Sequence, residues 1–411
     1  MFRRGNRLLN LGLPLLTLLR VGLSSPNQRA TCPAFSFLSH DFFCQMSHEM
    51  EGQVSSKKKN YFPFLNDQPT IDYIKTSRLM MYLPECSDIL DSIKHVYPEA
   101  KIFSEQSSCS DQTTSAVLNE VKKWLESFSN ESAVFAVIND PRLITTEKLK
   151  PFGNLSVAFR LVQVYVDQTN FIPLFYGWFF NLPDSEDLRQ QGHELLKHLN
   201  KEEKFVEEFS KHAIDGPTKG KVDICKYFDT RTLVVGQTLL HCTAFFTNFK
   251  QMKETEDYNN HHRQDITRAF KMQIIGFLVT PRTFGVRLKL GDKELQLWHD
   301  DIQVAQEVTP QDGNKDEGWK PSKYSPTNGR GSTSHLTLAV REDISAAETG
   351  RDLKEIIKRE VENQKSGKKV LTLELEIGDA RCYGDGLWAI YLNKPQTFTA
   401  LFSNYYVPEP E

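Results

Sequence analysis

The chain has 411 residues, of which 39% are apolar and 25% are charged, and this composition is typical of a globular protein. Its formal net charge of −3 argues against a protein that binds mainly through a broad phosphate-binding surface, so small nucleotides fit better than long nucleic acids. The seven Cys include no C-x-x-C pair, which indicates neither a disulfide framework nor a zinc site. We therefore expect reduced thiols and an intracellular compartment.

The N-terminal residues 1–45 are predicted to be a targeting segment. Residues 1–40 contain five Arg and no Asp or Glu, and the apolar stretch from Leu8 to Leu19 is shorter than the roughly 20 residues that span a bilayer. This composition favours a mitochondrial presequence over a secretory signal, the alternative that the same stretch leaves open. We expect a mitochondrial or cytoplasmic protein that can associate peripherally with membranes. The polar residues 46–60 are predicted to form a linker.

Short apolar strands alternate with amphipathic helices over residues 61–168. The predicted strands cover 78–83, 133–138 and 157–166, and a helix is predicted over 115–128. Strands of this kind with helices between them predict a small parallel α/β domain.

Strands dominate the remaining domain, residues 169–411. Its first strand, "FIPLFYGWFF" (171–180), is rich in aromatic residues that are predicted to form core rather than a ligand pocket. One long helix is predicted over 185–212. His193 and His198 on that helix lie about 140° apart around its axis, so they do not form a zinc site, and we predict no metal site. A long loop is predicted over 307–334.

The signature His, any residue, Thr occurs twice in strand-like stretches, "TLLHCTAFF" (238–246) and "TSHLTLAVR" (333–341). Because side chains alternate between the two faces of a strand, His241 shares a face with Thr243, and His335 shares a face with Thr337. Either motif alone is typical of an ordinary half-buried strand. The two motifs lie 94 residues apart, far enough for each to belong to its own half of a domain.

Two imidazoles suit acid–base chemistry at neutral pH, because with ordinary pKa values near 6.5 one can accept a proton while the other donates one. Hydroxyl groups and strand amides between them could bind phosphoryl oxygens. The residues therefore suit phosphodiester chemistry without a metal ion or other cofactor, and a five-membered cyclic phosphate is an apt substrate. They leave open which His is the base and which the acid.

Eight segments in a fixed order resemble the vertebrate 2′,3′-cyclic nucleotide 3′-phosphodiesterase family, the myelin enzymes of the two-histidine phosphoesterase superfamily. They are "PLFYGWF", "LLHCTAFF", "FLVTPRTFGVRLKL", "LQLW", "SHLTLAV", "ETGRDL", "GLWAIYL" and "LFSNYY", and the resemblance covers about residues 170–407. It implies an α+β fold in which a two-lobed antiparallel-sheet domain follows a degenerate kinase-like α/β domain.

The resemblance also implies a function and a set of site residues. The function is hydrolysis of 2′,3′-cyclic nucleotides, or of RNA ends with a cyclic phosphate, to 2′-phosphates. The catalytic set is His241, Thr243, His335 and Thr337, with the attacking water held by His335. Phe246, five residues after the first His, becomes the stacking surface for the base.

The chain departs from the family pattern in three places. Gly153 is the single glycine between Asn60 and Asn170, so the family's Gly-rich phosphate-binding loop is missing and we expect no ATP binding. The C-terminal "YVPEPE" lacks the Cys of the family's prenylation box, so we expect no lipid anchor there. Thr333 stands where the family has a basic residue, and Arg330 is the nearest substitute for phosphate or substrate binding. The alternative function is a catalytically weak or inactive scaffold that binds RNA or the cytoskeleton through the same fold.

Overall fold

A computed structural model describes residues 62–82, 89–103, 123–124, 134–138, 160–163, 171–213, 221–228, 240–247, 254–299, 329–341 and 344–408. All of these residues belong to one compact unit, residues 56–411. The predicted helix over 115–128 lies outside the described residues except for 123–124, which are helical, and the predicted loop lies outside them as far as residue 328. The boundary placed between residues 168 and 169 stays a prediction.

A parallel sheet forms the first layer, as the alternation of strands and helices predicts. Its strands lie in the order β2–β3–β1–β4, and every pairing is parallel. The strands are β1 (Arg78–Tyr82), β2 (Lys101–Phe103), β3 (Val134–Ile138) and β4 (Arg160–Gln163), and the helices beside them are α1 (Pro63–Asn66), α2 (Gln68–Lys75) and α3 (Leu90–Val96). Residues 83–88, where a phosphate-binding loop would follow β1, lie outside the described residues.

Helix α2 packs against the second sheet. Its N-terminus is capped by the Asp67 carboxylate, which accepts a hydrogen bond from the Thr70 N–H at 3.1 Å. The Tyr73 hydroxyl donates to the carbonyl of Phe179 at 2.9 Å, and the Thr70 hydroxyl accepts from the Ala269 N–H at 2.9 Å. Helix α2 is therefore hydrogen-bonded to two strands of the second sheet.

The second sheet is antiparallel and has two arms that meet at its longest strand, which confirms the predicted α+β class. One arm runs β6–β5–β12 and the other β9–β8–β7–β12–β11–β10. The strands are β5 (Phe171–Phe180), β6 (His241–Phe246), β7 (Ala269–Val279), β8 (Thr283–Lys289), β9 (His335–Val340), β10 (Leu371–Leu375), β11 (Gly378–Cys382) and β12 (Trp388–Pro408). The last part of β12 pairs with β5 and its first part with β11, so one strand joins both arms.

The helices of this region are α4 (Leu182–Leu199), α5 (Glu203–His212), α6 (Ile224–Tyr227), α7 (Glu254–His262), α8 (Asp292–Leu297) and α9 (Glu348–Ser366). The prediction of one helix over 185–212 is wrong, because α4 and α5 are separate helices. Asn200 ends α4 and its side chain accepts a hydrogen bond from the Ile224 N–H at 3.0 Å. The separate helix α5 buries Phe205 and Phe209 in the core.

Strand β8 is buried along almost its whole length because helices cover both of its faces. On one face Gly192 of α4 lies against Phe284 of β8 and Leu338 of β9. On the other face Thr349 of α9 lies against Gly285 of β8. The face of β9 that bears Leu338 thus belongs to the core, and the opposite face lies under the first turn of α9.

Candidate active site

The two His-x-Thr motifs lie on the terminal strands of the two arms, β6 and β9. These strands run beside one another with Cα atoms within 8 Å, while their described hydrogen-bonded partners are β5 and β8 respectively. In both strands the His and the Thr are partly exposed and the residue between them is buried. The alternation predicted from the sequence is present in both motifs, and the fold brings the two motif strands together.

Both motif strands carry a β-bulge at the residue after the Thr. Ala244 has no partner in the register of β5, and Leu338 has none in the register of β8. A bulge bends its strand and turns the following side chains to the other face. The two arms thus present their motifs with the same local backbone pattern.

A glycine lies directly opposite the Thr of each motif. Gly177 pairs with Thr243, and Gly285 pairs with Thr337. A Cβ atom at Gly285 would lie 2.7 Å from the carbonyl oxygen of Leu336, and one at Gly177 would overlap the corresponding carbonyl of Cys242. Side chains are therefore excluded at both positions by the close approach of the motif strand.

The imidazole of His241 lies against an aromatic surface on β5. Its ring centroid is 4.8 Å from that of Phe175 and 5.4 Å from that of Phe179, with interplanar angles of 20° and 25°. The prediction that the aromatics of this strand form core holds for four of the five aromatic residues between 175 and 180. Tyr176, Trp178 and Phe180 are buried on one face, and on the other face the buried Phe179 and the partly exposed Phe175 support the His.

The imidazole of His335 is oriented by a hydrogen bond to the backbone. Its Nδ1 atom lies 2.8 Å from the carbonyl oxygen of Thr333, a geometry that requires a proton on Nδ1. Because a backbone carbonyl makes this contact, any residue type at position 333 could supply it. Gly350 of α9 packs against the same ring, since a Cβ there would lie 2.9 Å from the His335 Cε1 atom.

Thr337 contacts the first turn of α9. Its Oγ1 atom is 2.9 Å from the Oγ1 of Thr349, which is fully buried, and 3.3 Å from the carbonyl oxygen of Ala346. The hydroxyl of the second motif is thus held in place by another hydroxyl.

A polar network fixes the first half of α9 against the turn between β7 and β8. The buried carboxylate of Asp352 accepts hydrogen bonds from Thr280 at 2.6 Å and from Thr283 at 2.8 Å, and it also pairs with Arg282. Arg282 forms a second ion pair with Glu348 at 2.8 Å. These contacts hold the helix end that lies against the second motif.

A buried ion pair fixes the middle of the same helix. Arg287 of β8, which pairs with His335 in the β-ladder, binds Glu360 of α9 through two hydrogen bonds of 2.5 and 2.9 Å. Both side chains are almost completely buried, and the Tyr391 hydroxyl also donates to Glu360. Strand β8, which pairs with the strand of the second motif, is thereby bonded to α9.

The segment after α8 links the two motif strands. The backbone N–H of His299 donates to the carbonyl of Ala244 in the β6 bulge at 3.0 Å, and the Arg330 guanidinium donates to the carbonyl of Trp298 at 2.7 Å. Partial burial lowers the pKa of His299 below its ordinary value, and the charge of Arg330 acts in the same direction. Arg330 is exposed at the turn that leads into β9, and its predicted role in substrate binding stays a prediction.

Phe246 lies on the same face of the sheet as the first motif. It is 45% exposed and stands directly opposite Phe175 in the β5–β6 register. An exposed ring on the same face as His241 is compatible with the predicted stacking role, which also stays a prediction. Among the described residues, no group of three or more His, Cys, Asp or Glu side chains is arranged to hold a metal ion.

The region that contains the two motifs matches a known protein family. The family model described as "2′,3′-cyclic nucleotide 3′-phosphodiesterase (CNP or CNPase)" matches residues 172–410, more than half of the chain. The chain belongs to this family. The match spans both motif strands and all of the antiparallel sheet except its first described residue. It agrees closely with the region over which the sequence resembles the family.

Three relatives named 2′,3′-cyclic-nucleotide 3′-phosphodiesterase match the chain over 242 to 245 residues. The sequences are 31% identical for the protein of Pongo abelii, 34% for that of Rattus norvegicus and 32% for that of Mus musculus. Each alignment covers 58% of this chain and 52% of the relative. The chain therefore spans about half the length of the relatives that it matches.

Sequence reasoning missed several residues that contact the motif side chains. Phe175 and Phe179 could have been found from the alternation of β5, because one face of a strand next to a terminal strand can border a cleft. Thr349 and Gly350 carried no such signal, because their positions depend on how α9 packs.

Among the described helices none is long and apolar enough to cross a membrane.

Proposed function

We propose that the chain hydrolyses nucleoside 2′,3′-cyclic phosphates to nucleoside 2′-phosphates by acid–base catalysis between two histidines. One observation carries the proposal: the two His-x-Thr strands lie side by side at the ends of the two sheet arms, each with the same bulge and the same facing glycine. A phosphodiester between them would meet one imidazole and one hydroxyl from each side. Family membership supports the same substrate class.

His335 is the better candidate for the general base. The Thr333 carbonyl accepts the proton on its Nδ1, so the lone pair of the neutral ring is on Nε2, where it can accept a proton from the attacking water. His241 is then the general acid. The faces of Phe175 and Phe179 carry negative partial charge, which favours a positively charged imidazole beside them.

The reaction balances with these two residues. The water oxygen forms a bond to phosphorus as His335 accepts its proton, the bond from phosphorus to O3′ breaks, and His241 donates its proton to O3′. The product is the 2′-phosphate. No metal ion takes part in this scheme.

Thr243 and Thr337 are proposed to donate hydrogen bonds to the phosphoryl oxygens as negative charge develops. A hydroxyl has one hydrogen, so Thr337 can donate to the phosphoryl group only if Thr349 becomes the donor within their pair. The Thr349 hydroxyl therefore positions a catalytic hydroxyl without touching the substrate.

The test is the hydrolysis of 2′,3′-cyclic AMP by the purified full chain, with the position of the product phosphate determined by NMR. Replacing either His241 or His335 by Ala should lower kcat by about 10²–10⁴, the usual contribution of one acid–base group. Replacement of the exposed His198 on α4 by Ala is the matched control and should leave kcat unchanged. The dependence of kcat on pH should be bell-shaped, and chelators should not change the rate.

Formation of the 3′-phosphate would contradict the assignment of O3′ as the leaving oxygen. A wild-type rate in the double variant His241→Ala, His335→Ala would refute the two-histidine mechanism. Binding of the cyclic nucleotide without turnover would favour the scaffold function instead.

Entry into mitochondria of a fluorescent protein fused to residues 1–45 would support the prediction that these residues are a mitochondrial targeting segment. Secretion of the fusion would refute that prediction.

A further inference from the structure

Two exposed aromatic side chains lie on the face of the sheet that carries the first motif. They are Phe246 on β6, which is 45% exposed, and Tyr405 on β12, which is 49% exposed. The other described large apolar side chains with high exposure, Leu371 and Ile377, lie in and beside β10 at the far end of the other arm. Exposed apolar groups that cluster beside a site are commonly part of a binding surface.

The two exposed residues belong to one row that crosses three strands. Phe175 pairs with Phe246 on one side and with Tyr405 on the other, so all three side chains project from the same face. The rings of Phe175 and Tyr405 are stacked, with centroids 5.3 Å apart and an interplanar angle of 11°. The Phe175 ring is also stacked on His241. The row is therefore in direct contact with the candidate general acid.

The length of this row exceeds what one nucleotide needs. Its two exposed ends lie two strand spacings apart, about 10 Å. A mononucleotide held by its phosphate has one base and can cover one end. The second exposed ring would then remain in water, although it lies on the same face and next to the same site.

We infer that Tyr405 stacks the base of the nucleotide that precedes the terminal one, so that an RNA 3′ end with a 2′,3′-cyclic phosphate is a better substrate than a free mononucleotide. This inference rests on the proposed function. The terminal base stacks on Phe246, and the preceding base crosses the row to Tyr405. Aromatic side chains bind successive bases of single strands in this way, because every base has a flat π-face.

The charge balance of the chain agrees with stacking as the source of this additional affinity. With a net charge of −3, the chain has no general excess of cations to attract a polynucleotide backbone. Affinity from phosphate contacts falls steeply with salt, whereas affinity from stacking does not depend on released counterions. The gain in affinity from the second nucleotide should therefore persist when the salt concentration is raised.

The experiment compares 2′,3′-cyclic AMP with the dinucleotide ApA that ends in a 2′,3′-cyclic phosphate, using the purified full chain. Removing one base-stacking ring typically lowers the affinity about 5- to 150-fold. Tyr405→Ala should therefore lower kcat/KM for the dinucleotide about 5- to 150-fold more than for the mononucleotide. Tyr405→Phe keeps the ring and should retain the wild-type ratio. Leu371→Ala removes a comparably exposed apolar side chain far from the row and should leave both rates unchanged.

Dissociation constants of the products, adenosine 2′-phosphate and ApA 2′-phosphate, separate this inference from the proposed function. If no variant turns over but Tyr405→Ala selectively weakens binding of the dinucleotide product, the second base position is supported and the hydrolytic function fails. If both substrates are hydrolysed and Tyr405→Ala lowers kcat/KM equally for the two, the inference is overturned. It is also overturned if Tyr405→Ala changes kcat/KM for neither substrate. Product binding that does not depend on Tyr405 in an inactive chain also overturns it.

Discussion

The glycine opposite the second motif should be more sensitive to substitution than its small size suggests. In Gly285→Ala the new Cβ would lie 2.7 Å from the carbonyl oxygen of Leu336, whereas ordinary contacts begin at 3.4 Å. The difference, 3.4 − 2.7 = 0.7 Å, must be taken up by the backbones of β8 and β9, because a carbonyl cannot rotate away as a side chain can. The same Cβ would also lie 2.7 Å from Cγ2 of Thr349. Leu336 lies between His335 and Thr337, so both motif side chains should shift with it.

The expected cost follows from this displacement. Overpacking of a close-packed interior costs about 1–3 kcal/mol, from which the lower entropy of the unfolded Ala variant removes about 0.4–1 kcal/mol. We therefore expect the free energy of unfolding to fall by about 0.6–2 kcal/mol. Since a misplacement of about 1 Å can lower turnover about 10²-fold, kcat of the folded variant should fall about 10- to 100-fold.

The assay pairs urea unfolding with kcat for 2′,3′-cyclic AMP, and Gly291→Ala is the matched control. A Cβ at Gly291 would also lie 2.7 Å from another atom, but this atom is Oε2 of the Glu294 side chain, which can move. Stability and kcat of the control should therefore stay close to wild type. A Gly285→Ala variant with wild-type kcat, or a control that loses as much activity, would refute the reasoning.

Three further perturbations test other contacts of the site. Glu360→Gln removes the negative charge that faces the buried Arg287, so the free energy of unfolding should fall by about 3–5 kcal/mol in urea titrations. Burial lowers the pKa of His299 from its ordinary value of 6.5, so the unfolded chain binds a proton at this residue at a higher pH than the folded chain does. The free energy of unfolding should therefore fall as the pH drops below about 6.5, and His299→Phe should flatten that part of a pH–stability curve. Thr349→Val removes the hydroxyl beside Thr337, and steady-state kinetics should show kcat reduced about tenfold with little change in KM.

Each of these predictions has its own control. Glu355→Gln breaks a more exposed ion pair and should cost less than about 1 kcal/mol, so an equal loss in both Glu variants would contradict the role of burial. An unchanged acid limb in His299→Phe would show that other groups cause the loss of stability. Thr349→Ser restores the hydroxyl and should recover kcat, and failure to recover would indicate that the methyl group matters instead.

How far the site could be predicted depended on whether a local pattern carried the information. The placement of His241 with Thr243, and of His335 with Thr337, follows from strand alternation alone, which is a property of the backbone. The aromatic strand β5 shows the limit of that argument. The prediction of core holds for Phe179, which is buried, but not for Phe175, which is partly exposed, and both rings stack against the His of the first motif.

The helices also show which features a local pattern predicts and which depend on contacts between distant residues. The prediction of helix over residues 185–212 was correct in type, yet α4 ends before Asn200, whose side chain accepts a hydrogen bond from Ile224, a residue 24 positions later. Thr349 and Gly350 have no local feature that marks them as neighbours of the second motif. They reach it because buried polar contacts of α9 fix that helix against β8.

The sequence by itself determined which polar groups share a face, which segments form strands, and, through the order of its segments, which family the chain belongs to. Tertiary structure alone decided that the two motif strands would meet. That meeting depends on β12, which pairs with both arms and so brings β6 and β9 together across 94 residues of chain. The physical reason is that β-pairing between distant strands is selected by the packing of whole faces, whereas alternation and helical spacing act within a few residues.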